Sequence, residues 1–494
     1  MSGDESSQIQ IGRNTYVFLG RWLHVFPGSC KNIKLDNYSG LFGIITTALS
    51  QLFPTIDEIR IRHLLIAFTG FIAILYAGKT ARFLYGNMAA IATIWMLFLS
   101  PRFFGASMND SKDIPFAMGM IISTYYLLRL ALMETAEVKP RLFAGLGMGL
   151  FLALGIRING MVFCGIYSLM AYVYLIFRFR KSSTGLLLRS GVWFIGTGLV
   201  AFAAAIFFLP NVWSNIPLMT LRALHTFSTY KVAITMLFMG TDIPTEAAPW
   251  QYLPVWVGIT TPIIVLALFL YGSISSLFQR NFGMIFLFFT VIFPWISIVI
   301  AHSPVYDAWR QFYFIYPPMV VLGGVTAAIL IEKSRNGFLR MAMVTCLILC
   351  MMPGFVWSLR NHPLENVYFN ELIGGVDGAY GHFETDYYGE ATELACRKLL
   401  HQPVFNQSGH DSVFVLDNIP NQVIHYIKAY DPKVSLRHNA YESRDSMHWD
   451  FGIFYTRGLD SLLKRKDWPP AGIIDSVMAD HTMIMAIVKN PKSQ

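Results

Sequence analysis

The sequence predicts a polytopic α-helical membrane protein of about ten spans with a C-terminal extracytoplasmic α/β domain. Three observations lead there. Of 494 residues, 54% are hydrophobic and only 14% charged, a balance too apolar for a soluble chain of this length. About ten apolar runs are long enough to cross roughly 30 Å of hydrocarbon as helix. From His362 the composition turns polar and the hydrophobic runs shorten to strand length. The net charge of +8 lies largely in short loops between the runs, so it reads as topology and affinity for anionic lipid rather than a nucleic-acid footprint. Cys30, Cys164, Cys346, Cys350 and Cys396 show no metal-ligand spacing and read as packing residues.

In chain order the runs cover 62–84, 87–101, 114–133, 141–157, 160–178, 188–209, 253–276, 283–301, 312–332 and 338–357. The runs 87–101 and 141–157 are short, which favours tilt or local thinning. Alternate loops carry Lys79 and Arg82, Lys139 and Arg141, Arg178 to Lys181, Arg280, and Lys333 to Arg340, and this set belongs in the cytoplasm. The opposite side receives residues 1–61, the Arg102–Asp113 loop, the turn at Arg157, the 210–252 loop, the His302–Arg310 loop and the tail. Both termini then lie outside, and a further span upstream of Met1 is expected. Residues 38–54 and 214–230 are apolar but short, and read as helices lying on the membrane or as re-entrant packing segments. The predicted division is 1–61 as a first outer loop with an interfacial helix, 62–357 as the transmembrane core, and 358–494 as the soluble domain. Within that domain 412–416, 433–436 and 449–455 read as strands, 418–430 and 459–464 as helices, and 473–478 with 482–488 as a closing β-pair. No Gly-rich phosphate loop is present in it.

The stretch from Ser100 to Phe116 joins two apolar runs and carries Arg102, Asp110, Lys112 and Asp113. Charge is costly in hydrocarbon, so such a cluster belongs at the bilayer edge and is a candidate site. The alternative is a solvated loop in which Asp110 or Asp113 caps the next helix.

Several strings on the outer side recur as a set: Asp4-Glu5; Ser100 to Phe104 with Asn109 to Pro115; Gly155-Ile156-Arg157-Ile158-Asn159-Gly160; Pro249-Trp250-Gln251-Tyr252; Tyr306-Asp307-Ala308-Trp309-Arg310-Gln311-Phe312; His362-Pro363; Tyr368 to Gly375; and Glu384-Thr385-Asp386-Tyr387-Tyr388-Gly389. Together they resemble the polyprenyl-phosphate-sugar-dependent glycosyltransferases of the GT-C superfamily, most closely the branch of protein O-mannosyltransferases and lipid A aminoarabinose transferases. The resemblance implies a multi-pass protein of a bacterial inner membrane or the endoplasmic reticulum with its active site on the extracytoplasmic face. It implies a catalytic Asp or Asp-Glu just after the first span, which maps onto Asp4 and Glu5, although the preceding helix is missing from this sequence. A second acidic site maps onto Asp113, with Asp110 as competitor. It also implies a polyprenyl-phosphate sugar donor, a lipid, glycan or protein acceptor, and no bound metal or other cofactor.

Transfer from a lipid phosphate needs a carboxylate to take the acceptor's proton and cations to hold the leaving phosphate. Asp4, Glu5 and Asp113 are the candidate carboxylates. Arg310, Lys112, Arg102 and Arg157 are the candidate phosphate ligands, with Lys231 also outward-facing. For Arg310 the alternative is a salt bridge to Asp307, and for Arg157 a helix-end contact with the interface. Asp110, Tyr306, Trp250 and Tyr252 are candidate substrate contacts, though Trp and Tyr at a membrane boundary are expected on other grounds. A transporter, or another sugar-lipid enzyme such as an oligosaccharide polymerase or ligase, are the competing readings. Against a transporter, the runs are nearly free of interior charge and show no half-chain repeat.

Overall fold

The computed structural model describes residues 5–30, 33–35, 40–134, 137–180, 184–229, 235–406, 413–419, 422–430, 434–457, 466 and 468–492, the side chains of 226–229 and 429–430 excepted. In order the helices are α1 (Glu5–Trp22), α2 (Leu41–Leu52), α3 (Glu58–Tyr85), α4 (Asn87–Phe98), α5 (Pro101–Asn109), α6 (Asp113–Ala131), α7 (Pro140–Ile156), α8 (Gly160–Phe179), α9 (Thr184–Phe207), α10 (Ile216–Thr229), α11 (Tyr252–Thr260), α12 (Ile263–Gln279), α13 (Phe282–Ala301), α14 (Tyr316–Lys333) and α15 (Gly337–Asn361). Among the described residues seven are long and apolar enough to cross a membrane, and an eighth span arises if α4 and α5, bent by 68°, count as one. The chain is an integral multi-pass membrane protein.

Every predicted run is helical, but two are broken by proline. After Ser100 the chain turns at Pro101, which has no N–H to continue the helix. The carbonyl Pro101 leaves open, Leu97 O, accepts from the Ser100 N–H at 3.3 Å instead, while the Ser100 hydroxyl donates to the Met96 carbonyl at 2.5 Å and meets the Tyr316 hydroxyl at 2.6 Å. The run 253–276 divides at Thr261-Pro262 into α11 and α12. Carbonyls freed there are met from outside the helix, because Asn370 Nδ2 donates to Gly258 O and Thr261 O, both at 2.7 Å.

The core lies around α6 and α14, whose apolar windows are 83% and 89% buried, against 11% for α15 at the periphery. Small residues allow the close approaches. A Cβ on Gly324 would come within 2.1 Å of Thr93 Oγ1 on α4, and one on Gly119 within 2.5 Å of the Ala153 nitrogen on α7.

The first segment differs from expectation. Besides α2, close to the predicted interfacial helix, it contains α1, which the sequence did not announce because the buried positions of that helix are Glu5, Gly12, Thr15 and Leu19 rather than an apolar stripe. In the 210–252 loop, α10 matches the predicted 214–230 helix and is followed by a hairpin of β1 (Thr235–Phe238) and β2 (Thr241–Pro244).

The soluble domain adds α16 (Gly375–Ala379), α17 (Ala391–Leu400), α18 (Gln422–Tyr430) and a five-stranded sheet of β3 (Phe414–Asp417), β4 (Ser435–His438), β5 (Phe451–Tyr455), β6 (Ile473–Ala479) and β7 (Thr482–Lys489), ordered β4-β3-β5-β7-β6. β3 runs parallel to β4 and β5, and β7 antiparallel to β5 and β6. The strands fall where the sequence placed them, while the predicted helix 459–464 lies outside the described residues. A tether fixes the domain to the membrane core: Asp480, in the β6–β7 turn, accepts from Trp357 Nε1 at 2.7 Å and Asn361 Nδ2 at 3.3 Å, both on α15.

Candidate active site

The start of α6 carries the central carboxylate. Asp110 shapes the approach, its Oδ1 accepting from the backbone N–H of Lys112 at 3.1 Å and of Asp113 at 2.9 Å. These bonds brace the turn into α6 much as the capping alternative expects, but the N-cap itself is Lys112 and the loop is buried rather than solvated. The other oxygen, Oδ2, accepts from the Tyr388 hydroxyl of the soluble domain at 2.6 Å, so Asp110 has structural work on both sides.

Asp113 is 1% exposed and faces two guanidinium groups. Arg157, at the end of α7, pairs with its Oδ1. Arg310, from the segment before α14, stands 4.0 Å from Oδ2, and that oxygen has no hydrogen-bond partner among the described residues. Arg310 itself pairs with Asp307 at 2.7 Å, donates to the Tyr388 hydroxyl at 3.3 Å, and lies 5.5 Å from the Tyr306 ring centroid. Three loops distant in sequence thus converge on one carboxylate at one end of the bundle. Arg157 also lines a cavity of about 360 Å³ whose walls are mostly apolar, with Phe116, Phe163, Ile298, Phe312 and Phe314 among them.

The remaining predicted residues are placed around this centre at differing remove. Asp4 and Lys231 lie outside the described residues. Glu5 is fully buried in α1, 3.5 Å from Arg62 Nε and 3.3 Å from His63 Nε2. Burial works to raise its pKa, but the His63 hydrogen bond and charge, with Arg62 behind them, hold it below the usual carboxylate value. Lys112 lines a small recess together with Arg62, Gln8 and Ser111, which puts the Glu5 partner and the Asp113 loop on the same wall. Arg102 is set apart from the carboxylates: its Nε donates to Tyr368 O at 2.8 Å, and its guanidinium lies 4.8 Å from the Phe369 ring centroid, 5.6 Å from Trp256 and 5.7 Å from Tyr387. Tyr252 is 2% exposed, with its hydroxyl 3.4 Å from Met236 Sδ, whereas Trp250 is open to the outside. Both line a second cavity of about 160 Å³ with Glu246 and His302.

Four participants were not singled out from sequence. Arg62 and His63 hide at the start of an apolar helix. Tyr388 stood inside a quoted motif with no role attached. Arg457, which pairs with Asp307, had no signal, being one basic residue two positions beyond a strand.

Glu390 joins the soluble domain to α5. Its Oε1 accepts from Asn109 Nδ2 at 2.5 Å and from the Asn366 side chain, and its Oε2 from the Asn366 N–H at 3.3 Å. Burial, with Asp386 nearby, pushes its pKa from 4.5 up to about 8. The folded protein therefore keeps a proton that the unfolded chain releases above about 4.5. The stability this gives is complete below that pH and lost as pH rises through about 8. Thermal unfolding midpoints measured from about pH 5 to about pH 9 should fall more for the wild type than for Glu390→Gln, which has nothing to ionise. Parallel curves would show that Glu390 does not titrate in this window.

No family model matches the chain, and no curated protein matches it in sequence. Among solved structures, ArnT from Cupriavidus metallidurans bound to undecaprenyl phosphate aligns over 98% of this chain and 93% of its own, at 12% identity and a TM-score of 0.52. The chain shares the fold of ArnT. The apo state of ArnT aligns over 99% of this chain and 93% of its own, at 13% identity and a TM-score of 0.49. An oligosaccharyltransferase from Archaeoglobus fulgidus, tethered with an acceptor peptide, aligns over 92% of this chain and 65% of its own, at 12% identity and a TM-score of 0.47. The likeness to ArnT is one of fold.

Proposed function

We propose that the protein is a membrane glycosyltransferase that moves a sugar from a polyprenyl-phosphate donor to an acceptor hydroxyl at the extracytoplasmic face. One observation carries this reading: Asp113 is held by Arg157 on one oxygen and keeps the other unbonded 4.0 Å from Arg310, while Arg157 borders a large apolar cavity. A cavity of that kind suits a lipid-linked donor, with its isoprenoid against the aromatic wall and its phosphate at the guanidinium groups. In the step proposed, the acceptor oxygen bonds to the anomeric carbon as the bond from that carbon to the phosphate oxygen breaks. The acceptor proton passes to a carboxylate, and the polyprenyl phosphate leaves with the bonding pair. Its charge is stabilised by Arg310 and Arg157 in a site that excludes water, so no general acid is needed. On this reading Asp113 takes the acceptor's proton or orients its hydroxyl, and Asp4 and Glu5 supply the remaining acidic groups. Trp250 and Tyr252 border a subsite for the sugar or acceptor, and no metal is required. The ArnT structure with undecaprenyl phosphate supports a lipid-phosphate ligand on this fold.

The test is direct. Purified protein in lipid nanodiscs should bind undecaprenyl phosphate saturably, and Arg310→Ala should weaken that binding by about tenfold or more, as expected for loss of a charged hydrogen-bond donor. Absence of saturable binding, or an Arg310→Ala protein that binds like the wild type, rejects the reading.

A further inference from the structure

Arg310 is asked to meet an incoming phosphate while already paired with Asp307. An ion pair that close would ordinarily reserve most of the cation's charge for its partner. The other side of Asp307 resolves the conflict. Arg457, two residues beyond β5 in the soluble domain, pairs with Asp307 Oδ1, while Arg310 takes Oδ2 at 2.7 Å. The same Arg457 donates to the Tyr387 carbonyl at 2.7 Å, which fixes its guanidinium plane. Asp307 is 3% exposed and the Arg310 side chain 5%, while the Arg457 side chain keeps 21% of its surface exposed, so both contacts are largely shielded from solvent.

The backbone adds a second argument. Asp307 has φ of 58° and Ala308 of 57°, two successive non-glycine residues in the left-handed region. Such a turn persists only where its surroundings over-determine it. Two surroundings are visible here: Trp309 Nε1 donates to Thr260 Oγ1 at 2.8 Å, and Arg457 grips the Asp307 carboxylate. Arg310 follows directly, and its reach toward Asp113 and the Tyr388 hydroxyl depends on where this turn delivers its Cα.

We propose that Arg457 is a positioning residue for Arg310, acting through the carboxylate they share. It holds the turn that aims Arg310 and offsets the Asp307 charge, leaving Arg310 able to attract a lipid phosphate. The soluble domain is then part of the donor site. The proposal rests on the reading of Arg310 as a phosphate ligand.

Undecaprenyl phosphate binding by the full chain in nanodiscs separates the two. Arg457→Gln, which keeps a donor for the Tyr387 carbonyl but no charge, should weaken binding about tenfold. In an Asp307→Asn background the carboxylate that Arg457 and Arg310 share is gone and, among the described carboxylates, only Glu384 still faces Arg457, so the same change should alter binding less than about twofold. Arg457→Lys, which keeps the charge, should stay within about threefold of the wild type. Wild-type binding by Arg457→Gln overturns the proposal, as does an undiminished loss in the Asp307→Asn background. Should Arg457→Gln fail to fold, Arg457→Lys decides: a loss of about tenfold in a protein of normal unfolding midpoint overturns the charge-offset role. If Arg310→Ala leaves binding untouched, the functional reading itself falls, whatever Arg457 does.

Discussion

Asp113→Asn is expected to lower transfer from a polyprenyl-phosphate sugar by about a thousandfold while leaving a folded, membrane-inserted protein. The substitution keeps the shape of the side chain, and its carbonyl oxygen can still accept from Arg157. What it removes is the negative charge between two guanidinium groups and the unbonded Oδ2 that faces Arg310. An amide nitrogen in that place would point donors at a cation and has no affinity for the acceptor's proton. Folding should survive because Arg310 retains Asp307 and Tyr388 and the remaining carbonyl oxygen still accepts from Arg157, which keeps the cost at or below the ~3–5 kcal/mol of removing one partner of a buried ion pair. The measurement pairs turnover with the thermal unfolding midpoint in the same preparation. Turnover within a few-fold of wild type would remove Asp113 from the reaction and return the role to the first-loop carboxylates.

How much of this was legible follows from what each feature is made of. Spans announce themselves through long apolar runs, so every predicted run became helix, and α2 and α10 emerged from short apolar stretches bounded by polar residues. The break at Pro262 depends on a distant group, Asn370, that donates to the carbonyls there, and the bend at Pro101 is braced by another, Tyr316, whose hydroxyl meets that of Ser100. A local reading sees the proline but not its rescue. Charged residues between apolar runs marked the loop around Asp113, because charge there needs a reason. The same logic failed for Arg457 and Tyr388: in a polar domain an arginine or a tyrosine is ordinary, and only the packing of that domain against the membrane core gives either one a partner in the site. For Arg310 the salt bridge to Asp307 is what the structure shows, at 2.7 Å, and its role toward a phosphate is what we propose.

Arg102→Ala should produce the largest loss of stability among the loop cations, and should do so without the signature of a missing phosphate ligand. The side chain is 2% exposed, and among the described residues it has no ion-pair partner. Its charge is met by the Tyr368 carbonyl at 2.8 Å and by the faces of Phe369, Trp256 and Tyr387. Two of these contributors, Tyr368 and Phe369, belong to the segment leading from α15 into the soluble domain, and Tyr387 lies next to Tyr388. Truncation would leave a cavity of roughly the volume of a large side chain among rigid rings, plus an unpaired carbonyl, which together cost about 3–5 kcal/mol. Removing the guanidinium from each desolvated ring face adds on the order of 1 kcal/mol. Both terms fall on the junction between the membrane core and the soluble domain. The expected result is an unfolding midpoint lowered by many degrees and faster proteolytic cleavage near residues 362–375. Undecaprenyl phosphate binding by the molecules that remain folded should be nearly unchanged. A normal midpoint with binding weakened tenfold would reverse the assignment, making Arg102 the phosphate ligand that its position in the sequence first suggested.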